Sequence, residues 1–598
     1  MPPNFLIIVA DDLGFSDCST FGSEIHTPNI DSLAHAPGGL RFTSFHVAAA
    51  CSPTRAMLMT GTDHHLTGLG QLSEIIRNSP AHQGAPGHEG YLTRNVVAIP
   101  ELLKDEGGYN TFMAGKWHLG LKRELGPRAR GFERSFALLP GCANHYGYEP
   151  QYENILNEPP RFFETAVNTL HMEDGEYLTD LPKDFYSSDH YVTKLLDFLS
   201  ERDDKDRKKP FFAYLPFSAP HWPLQAPKAS MDKYRGVYDD GPEALRQRRL
   251  ARLKELGMVG EDVVPHEVVT TDGELGEWED LSGEERAKSA RSMEAFAGMV
   301  DRMDENVGRV LDYLKESGEY DDTVICFMSD NGAEGASYEA QPLVGESVVE
   351  HIRKYYDNSL ENIGRANSFV WYGSRWAQAA TAPSRLYKMF STEGGCRVPL
   401  IVKPVKGSRE GGRIVDSFCT VMDIVPTILD YAGLTHPGSK YKGRQIQPVR
   451  GVSWKPFLDA MAAEGSDTAR DPSGTTAIHG EDKAFGWEIA GSGALRRGRY
   501  KITYVPLPRG PQRWELFDII DDPGEVKDLS ETMPKVFNEL LRLWGVYAEE
   551  VGVVGLAGDW KNEHLIEGVK DEFEDTGRWI RFIGKKDVPA EIADKIPR

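Results

Sequence analysis

Four stretches of this sequence each place acidic, basic or imidazole side chains directly after an apolar run. Asp11-Asp12 follows Asn4-Phe5-Leu6-Ile7-Ile8-Val9-Ala10. Lys116 and His118 come in Gly115-Lys116-Trp117-His118, after Thr111-Phe112-Met113-Ala114. His221 lies in Ala219-Pro220-His221-Trp222 after the run 211–217, and Asp330-Asn331-Gly332 follows the run 323–328. Asp11, Asp12, Asp330 and Asn331 offer only oxygen ligands. Three carboxylates and one amide oxygen suit a hard divalent cation, calcium before magnesium. Gathered without a cation, the carboxylates would repel one another and hold their protons more tightly. Each cluster alone fits a turn or a helix cap just as well, and nothing local forces the two acidic pairs to meet.

The densest local signal is Cys51-Ser52-Pro53-Thr54-Arg55, continuing to Thr60-Gly61. A lone cysteine is most often a buried small hydrophobe. It can also be a thiolate nucleophile beside a histidine such as His118, but that reading leaves the Asp/Asn group without a task. The six cysteines show no C-x-x-C pair and no regular spacing, which disfavours a disulfide framework or a zinc site and suits a reduced chain.

The elements that must position these groups follow α/β grammar. The runs at 4–10, 111–114, 211–217, 323–328 and 398–402 lack apolar/polar alternation, as expected of strands buried on both faces of a mostly parallel sheet. A helix is expected after the capping box Ser282-x-x-Glu285, with Met293, Phe296, Val300, Met303, Val307, Val310 and Leu314 on one face. In such a doubly wound sheet ligands bind beyond the carboxyl ends of the strands, so all four polar clusters would converge on one sheet edge. Residues 225–282 read as a helical insertion and 433–482 as a linker rich in Gly, Pro, Ser and charge. Residues 485–505 and 513–518 read as short antiparallel strands, with a helix near 531–550. The expected organisation is a catalytic domain over 1–470, a smaller C-terminal α/β domain on a short antiparallel sheet over 471–552, and a charged extension over 553–598.

Composition bounds the partners. The chain has 598 residues, 40% hydrophobic and 27% charged, with a formal net charge of −23. That charge disfavours nucleic acid and anionic membranes, and any anionic substrate would need positive charge concentrated in its site. No apolar run reaches the ~18–20 residues of a membrane span. The opening run has no basic flank and reads as a strand and not a signal peptide, so the expected location is cytoplasmic.

Cys51-x-Pro53-x-Arg55 with Thr60-Gly61 resembles the signature of type I, formylglycine-dependent sulfatases, and Gly108-Tyr109-Asn110-Thr111 through His118 is similar to their second signature. Gly131-Phe132-Glu133-Arg134-Ser135-Phe136, the run 210–227, the stretch 355–390 and Trp514-Glu515-Leu516-Phe517-Asp518 extend the resemblance, closest to bacterial-type soluble arylsulfatases, over about residues 3–550. It implies an alkaline-phosphatase-like sulfatase fold. It also implies that a formylglycine-generating enzyme oxidises Cys51, that Arg55 holds it and that His118 hydrogen-bonds it. Asp11, Asp12, Asp330 and Asn331 would bind Ca²⁺, or Mg²⁺. Lys116 and Lys388 would contact the sulfate oxygens, and His221 would protonate the leaving oxygen. On residue context alone Lys388 reads as a solvated helix lysine. The implied activity is hydrolysis of aryl or alkyl sulfate esters. A phosphate or phosphonate ester hydrolase, or an unmodified anion-binding protein, is the alternative. Trp222, Trp371 and Tyr372 are open between an aromatic pocket and core packing.

Overall fold

The computed structural model describes residues 2–150, 169–270, 276–335, 352–405, 411–463 and 477–555. The expected C-terminal extension lies, from residue 556 on, outside the described residues.

Ten strands form one sheet, in the order Arg413–Val415, Leu40–Phe42, Leu400–Lys403, Thr323–Ser329, Asn4–Ala10, Phe211–Pro216, Asn110–Lys116, Arg134–Leu138, His171–Glu173 and Glu176–Tyr177. Five neighbours from Thr323–Ser329 to Arg134–Leu138 run parallel, and antiparallel pairing appears toward both edges. The central strand alternates between two cores. Leu6, Ile8 and Ala10 enter one and Phe5, Ile7 and Val9 the other, as the period-2 geometry of a strand covered on both faces requires. Register aligns the ends, with Ala10 opposite Ser329 and Val9 opposite Pro216. Asp11 and Asp330 therefore leave adjacent strands side by side.

The first core is closed by the helix Gly283–Glu316. Both capping bonds form, Ser282 Oγ accepting from Glu285 N at 3.3 Å and Glu285 Oε2 from Ser282 N at 2.8 Å. All seven expected core positions on this helix are buried, each stabilising by roughly 1.5–3 kcal/mol. Within 225–282, the helix Gly241–Glu255 sends Arg249 to Asp17 and to Glu24, the latter at 2.9 Å. Asp17 in turn accepts from Gly14 N at 2.7 Å, so the insertion braces the loop that follows Asp12.

The described part of 433–482 is folded and is not a linker. It holds a small hairpin, Lys440–Tyr441 with Arg444–Gln445, and the helix Lys455–Ala463. Trp454 is 1% exposed and stacks on Phe42 at 5.6 Å. Composition counts the turn-formers here and misses the few aromatic residues that carry the burial. Trp454→Ala is expected to cost about 3–5 kcal/mol, measurable by denaturant unfolding; a linker tryptophan would cost almost nothing.

The C-terminal unit is a four-stranded antiparallel sheet, Ala484–Ile489, Ser492–Arg497, Tyr500–Tyr504 and Trp514–Asp518, with the helix Pro534–Val551. Leu495, Ile502, Leu516 and Leu540 make its own core, whereas Phe485, Trp487, Ile489 and Ala494 join the second core of the large sheet. One face thus packs on its helix and the other on the main sheet.

Candidate active site

Cys51 opens the helix Cys51–Thr60, whose free backbone N–H groups favour a negative charge beside it. Pro53 lies in the first turn, where its missing N–H costs no hydrogen bond. One turn on, the fully buried Arg55 donates from Nε and Nη2 to Asp330 Oδ2 at 2.9 and 2.7 Å, and from Nη1 to the Lys116 carbonyl at 2.9 Å. The helix that Cys51 opens is thereby tied to two strand ends. Lys116 Nζ donates to both Asp11 oxygens at 2.9 and 2.7 Å. Lys388 Nζ lies 2.9 Å from Asp12 Oδ1 and 3.1 Å from Glu334 Oε2. His221 Nε2 is 3.4 Å from Asp12 Oδ2 and 3.3 Å from Lys388 Nζ. Ligand atoms of Asp11, Asp12, Cys51 and His221 all fall within 4.8 Å of one another. The four strand-end clusters and Cys51 therefore do meet at one sheet edge.

The charges pair inside this buried site. Burial opposes charge on Lys116 and Lys388, but the Asp11 and Asp12 carboxylates outweigh it and raise both pKa values. The acidic chain so gathers buried cations beside Cys51. Lys388 is no solvated helix lysine. It sits in a turn, 4% exposed, because Asp12 and Glu334 compensate its burial. His221 Nδ1 faces the Trp222 carbonyl at 2.7 Å. A carbonyl only accepts, so Nδ1 carries the proton and Nε2 turns to the site. Burial, reinforced by Lys388 and Lys116, pushes the ring's pKa well below the ordinary value. His118 makes no hydrogen bond to Cys51. Its Nε2 stands 3.8 Å from Glu74, and its backbone is left-handed, φ 56°. Asp12 shares that conformation at φ 69°, a strain typical of functional sites.

Asp11, Asp12, Asp330 and Asn331 are essentially inaccessible. Asn331 Nδ2 donates to Asp12 Oδ1 at 2.7 Å, while its Oδ1 is buried without a hydrogen-bond partner. An orphaned amide oxygen among three carboxylates fits a hard divalent cation.

Residues 3–434 match the family model described as Sulfatase. The chain belongs to the sulfatase family. An uncharacterized sulfatase of Schizosaccharomyces pombe is 49% identical over 566 residues, covering 94% of this chain and 96% of the relative. The arylsulfatase of Klebsiella aerogenes is 34% identical, covering 75% of this chain and 91% of the relative. Among solved structures, Ps i-CgsB in complex with k-i-k-neocarrahexaose shares the fold, with a TM-score of 0.61 at 24% identity over 92% of this chain and 93% of that one. Hydrolysis of sulfate esters is the reaction class of this chain. No described helix of the sulfatase is long and apolar enough to cross a membrane.

Two acidic groups beside the sulfatase site escaped the sequence reading. Glu334, three residues after Asn331, holds Lys388; its signal was a carboxylate placed just past a metal-type motif. Glu74 stands opposite His118, and nothing local marked it. The aromatic residues divide. Trp222 packs on His221 at 4.8 Å and on Trp371 at 5.2 Å, whereas Tyr372 stacks on Phe296 at 4.9 Å in the core.

A second buried cluster lies where the helix Cys51–Thr60 ends. His65 Nδ1 meets Asp63 Oδ1 at 2.9 Å and Nε2 meets Glu488 Oε2 at 3.3 Å, while Tyr547 donates to Asp63 at 2.8 Å. Both ring nitrogens face carboxylates, so a proton on either is held in an ion pair. Burial opposes charge on His65, but its hydrogen bonds to Asp63 and Glu488 outweigh it and lift the pKa to about 9. Neighbouring His64 and His88 are pushed down to about 3 and about 4, first by burial and also by the charge on His65. A raised folded-state pKa stabilises fully below the unfolded value near 6.5 and ceases to do so as pH rises through 9. The stability gap between wild type and His65→Gln is expected to shrink by roughly 3 kcal/mol across that window, followed by denaturant unfolding at stepped pH.

Proposed function

We propose that this sulfatase hydrolyses aryl or alkyl sulfate esters, with Cys51 oxidised to formylglycine as the nucleophile and a divalent cation, calcium before magnesium, held by Asp11, Asp12, Asp330 and Asn331. The observation that carries this reading is the 4.8 Å grouping of Cys51 with Asp11, Asp12 and His221, flanked by Lys116 and Lys388. A bound cation would supply positive charge to the sulfuryl oxygens and the nucleophile. The aldehyde hydrate would supply two hydroxyls, one to attack sulfur and one to release sulfate by C–O cleavage.

The chain's own residues do the remaining work. Lys116 and Lys388 bind and orient the sulfuryl oxygens and stabilise the charge that develops on them. Arg55 anchors the nucleophile helix through Asp330 and the Lys116 carbonyl. His221, its ring oriented by the Trp222 carbonyl, rests with a bare Nε2 facing Lys388 Nζ at 3.3 Å, and it acts as general acid by passing to the leaving oxygen a proton that Nε2 first takes from Lys388. Trp222, packed on His221, and Trp371 behind Trp222 would offer the leaving alcohol an apolar wall suited to aryl or alkyl groups. Mass spectrometry of the peptide containing residue 51, run beside kcat/KM for the sulfate and phosphate esters of one phenol, tests the proposal. An oxidised Cys51 with preference for the sulfate supports it. An intact thiol in an active preparation, or preference for the phosphate, defeats it.

A further inference from the structure

Lys388 sits on a turn that the large sheet does not hold alone. Leu386 and Met389, on either side, have φ of 57° and 74°, conformations that bulky residues keep only where their surroundings impose them. The main domain grips one side, Lys388 N donating to the Ala333 carbonyl at 3.0 Å and Met389 N to that of Ala49 at 2.7 Å. The C-terminal sheet grips the other. Arg385 Nη1 donates to Glu515 Oε2 at 2.8 Å. Ser391 N donates to Ser492 Oγ at 2.9 Å and Ser391 Oγ to the Ser492 carbonyl at 2.8 Å. Glu393 N donates to Glu525 Oε2 at 3.0 Å. Lys501 Nζ reaches Glu393 at 2.8 Å and Glu525 at 3.1 Å, and His46 Nε2 stands 2.9 Å from Glu393.

Lys501, Glu393 and Glu525 are all at most 2% exposed. Two layers can be glued by apolar contact at lower desolvation cost, so a buried charge network is weak evidence of mere adhesion. Its directional bonds instead fix where the turn sits. We infer that the C-terminal sheet is a positioning part of the catalytic site: Lys501, acting through Glu393 and Glu525 and seconded by Ser492 and Glu515, sets the place of Lys388 against the sulfuryl group. This rests on the reading of Lys388 as a sulfate contact. Lys501 is a positioning residue, since it acts on the site only through the turn.

The test uses full-length Lys501→Met and Ser492→Ala, with Arg499→Gln as control. Arg499 lies in the turn between the strands Ser492–Arg497 and Tyr500–Tyr504 and pairs with Asp518 and the exposed Asp521. The readouts are KM for nitrophenyl sulfate, the inhibition constant of inorganic sulfate, the thermal midpoint and the conversion of residue 51. Losing one well-placed charge-assisted contact corresponds to about tenfold. Lys501→Met is expected to raise both KM and the sulfate constant by about that factor, and Ser492→Ala by about threefold with little change in midpoint. Arg499→Gln should leave both unchanged. A network that only holds the fold would lower the active fraction, and hence kcat, with KM and the sulfate constant unmoved; that result overturns the inference. If Lys501→Met does not fold, Ser492→Ala decides on the same two constants. A wild type that neither turns over the ester nor binds sulfate would instead sink the underlying functional reading.

Discussion

Replacing Cys51 by alanine is expected to lower kcat/KM by at least about 10⁴-fold, because the proposed nucleophile is removed and no neighbour can take its place. Asp11, Asp12 and Asp330 are acceptors already engaged by Lys116, Lys388 and Arg55. The fold should survive. Alanine is the best helix former, the side chain lost is small, and every one of those ion pairs remains. Activity should therefore vanish with little change in thermal midpoint. Cys51→Ser sharpens the point. A single hydroxyl can accept the sulfuryl group but has no second hydroxyl with which to expel sulfate, so at most one product molecule per enzyme is expected. Steady turnover by either variant, within tenfold of wild type, would show that residue 51 is not the nucleophile.

The second large effect concerns His221. A positioned general acid contributes about 10²–10⁴-fold, and most where the leaving alkoxide is least stable. His221→Ala is expected to depress kcat/KM by that factor for an alkyl sulfate, and by about tenfold or less for nitrophenyl sulfate, whose leaving group needs little protonation. The geometry supports this role as a relay of a proton from Lys388. With Nδ1 committed to the Trp222 carbonyl, the free nitrogen faces Lys388 Nζ at 3.3 Å, beside Asp12. Equal losses for both esters would remove His221 from the acid role and leave it a sulfate contact.

Much of the frame was legible because its signals are local. Unalternating apolar runs became the central strands, and Ser282 with Glu285 did begin the helix Gly283–Glu316. Asp11, Asp12, Lys116, His221, Asp330 and Asn331 could be placed at one edge because strand direction alone carries residues at the ends of parallel strands to the same side. Arg55 and Lys388 could not. A basic residue in a polar stretch looks the same whether it is solvated or buried, and resemblance to a family, not residue context, pointed to both.

The misreading of 433–482 has the same root. Trp454 is buried only because Phe42, far away in the chain, stands over it. His65 looks unremarkable in sequence and becomes an imidazolium because Glu488 arrives from the C-terminal sheet. Nothing local in the sequence marks Lys501, Glu393 and Glu525, which three separate segments bring together out of solvent reach.

The sequence by itself determined which strands end in polar clusters, an oxygen-only set of candidate ligands and a motif that resembles a sulfatase signature. These depend on backbone periodicity and residue type, which neighbours along the chain decide. Only the tertiary structure decided which charges are buried, which carboxylate each cation faces and how the C-terminal sheet meets the Lys388 turn. A charge can leave water only when a partner meets it, and here those partners lie far apart in sequence.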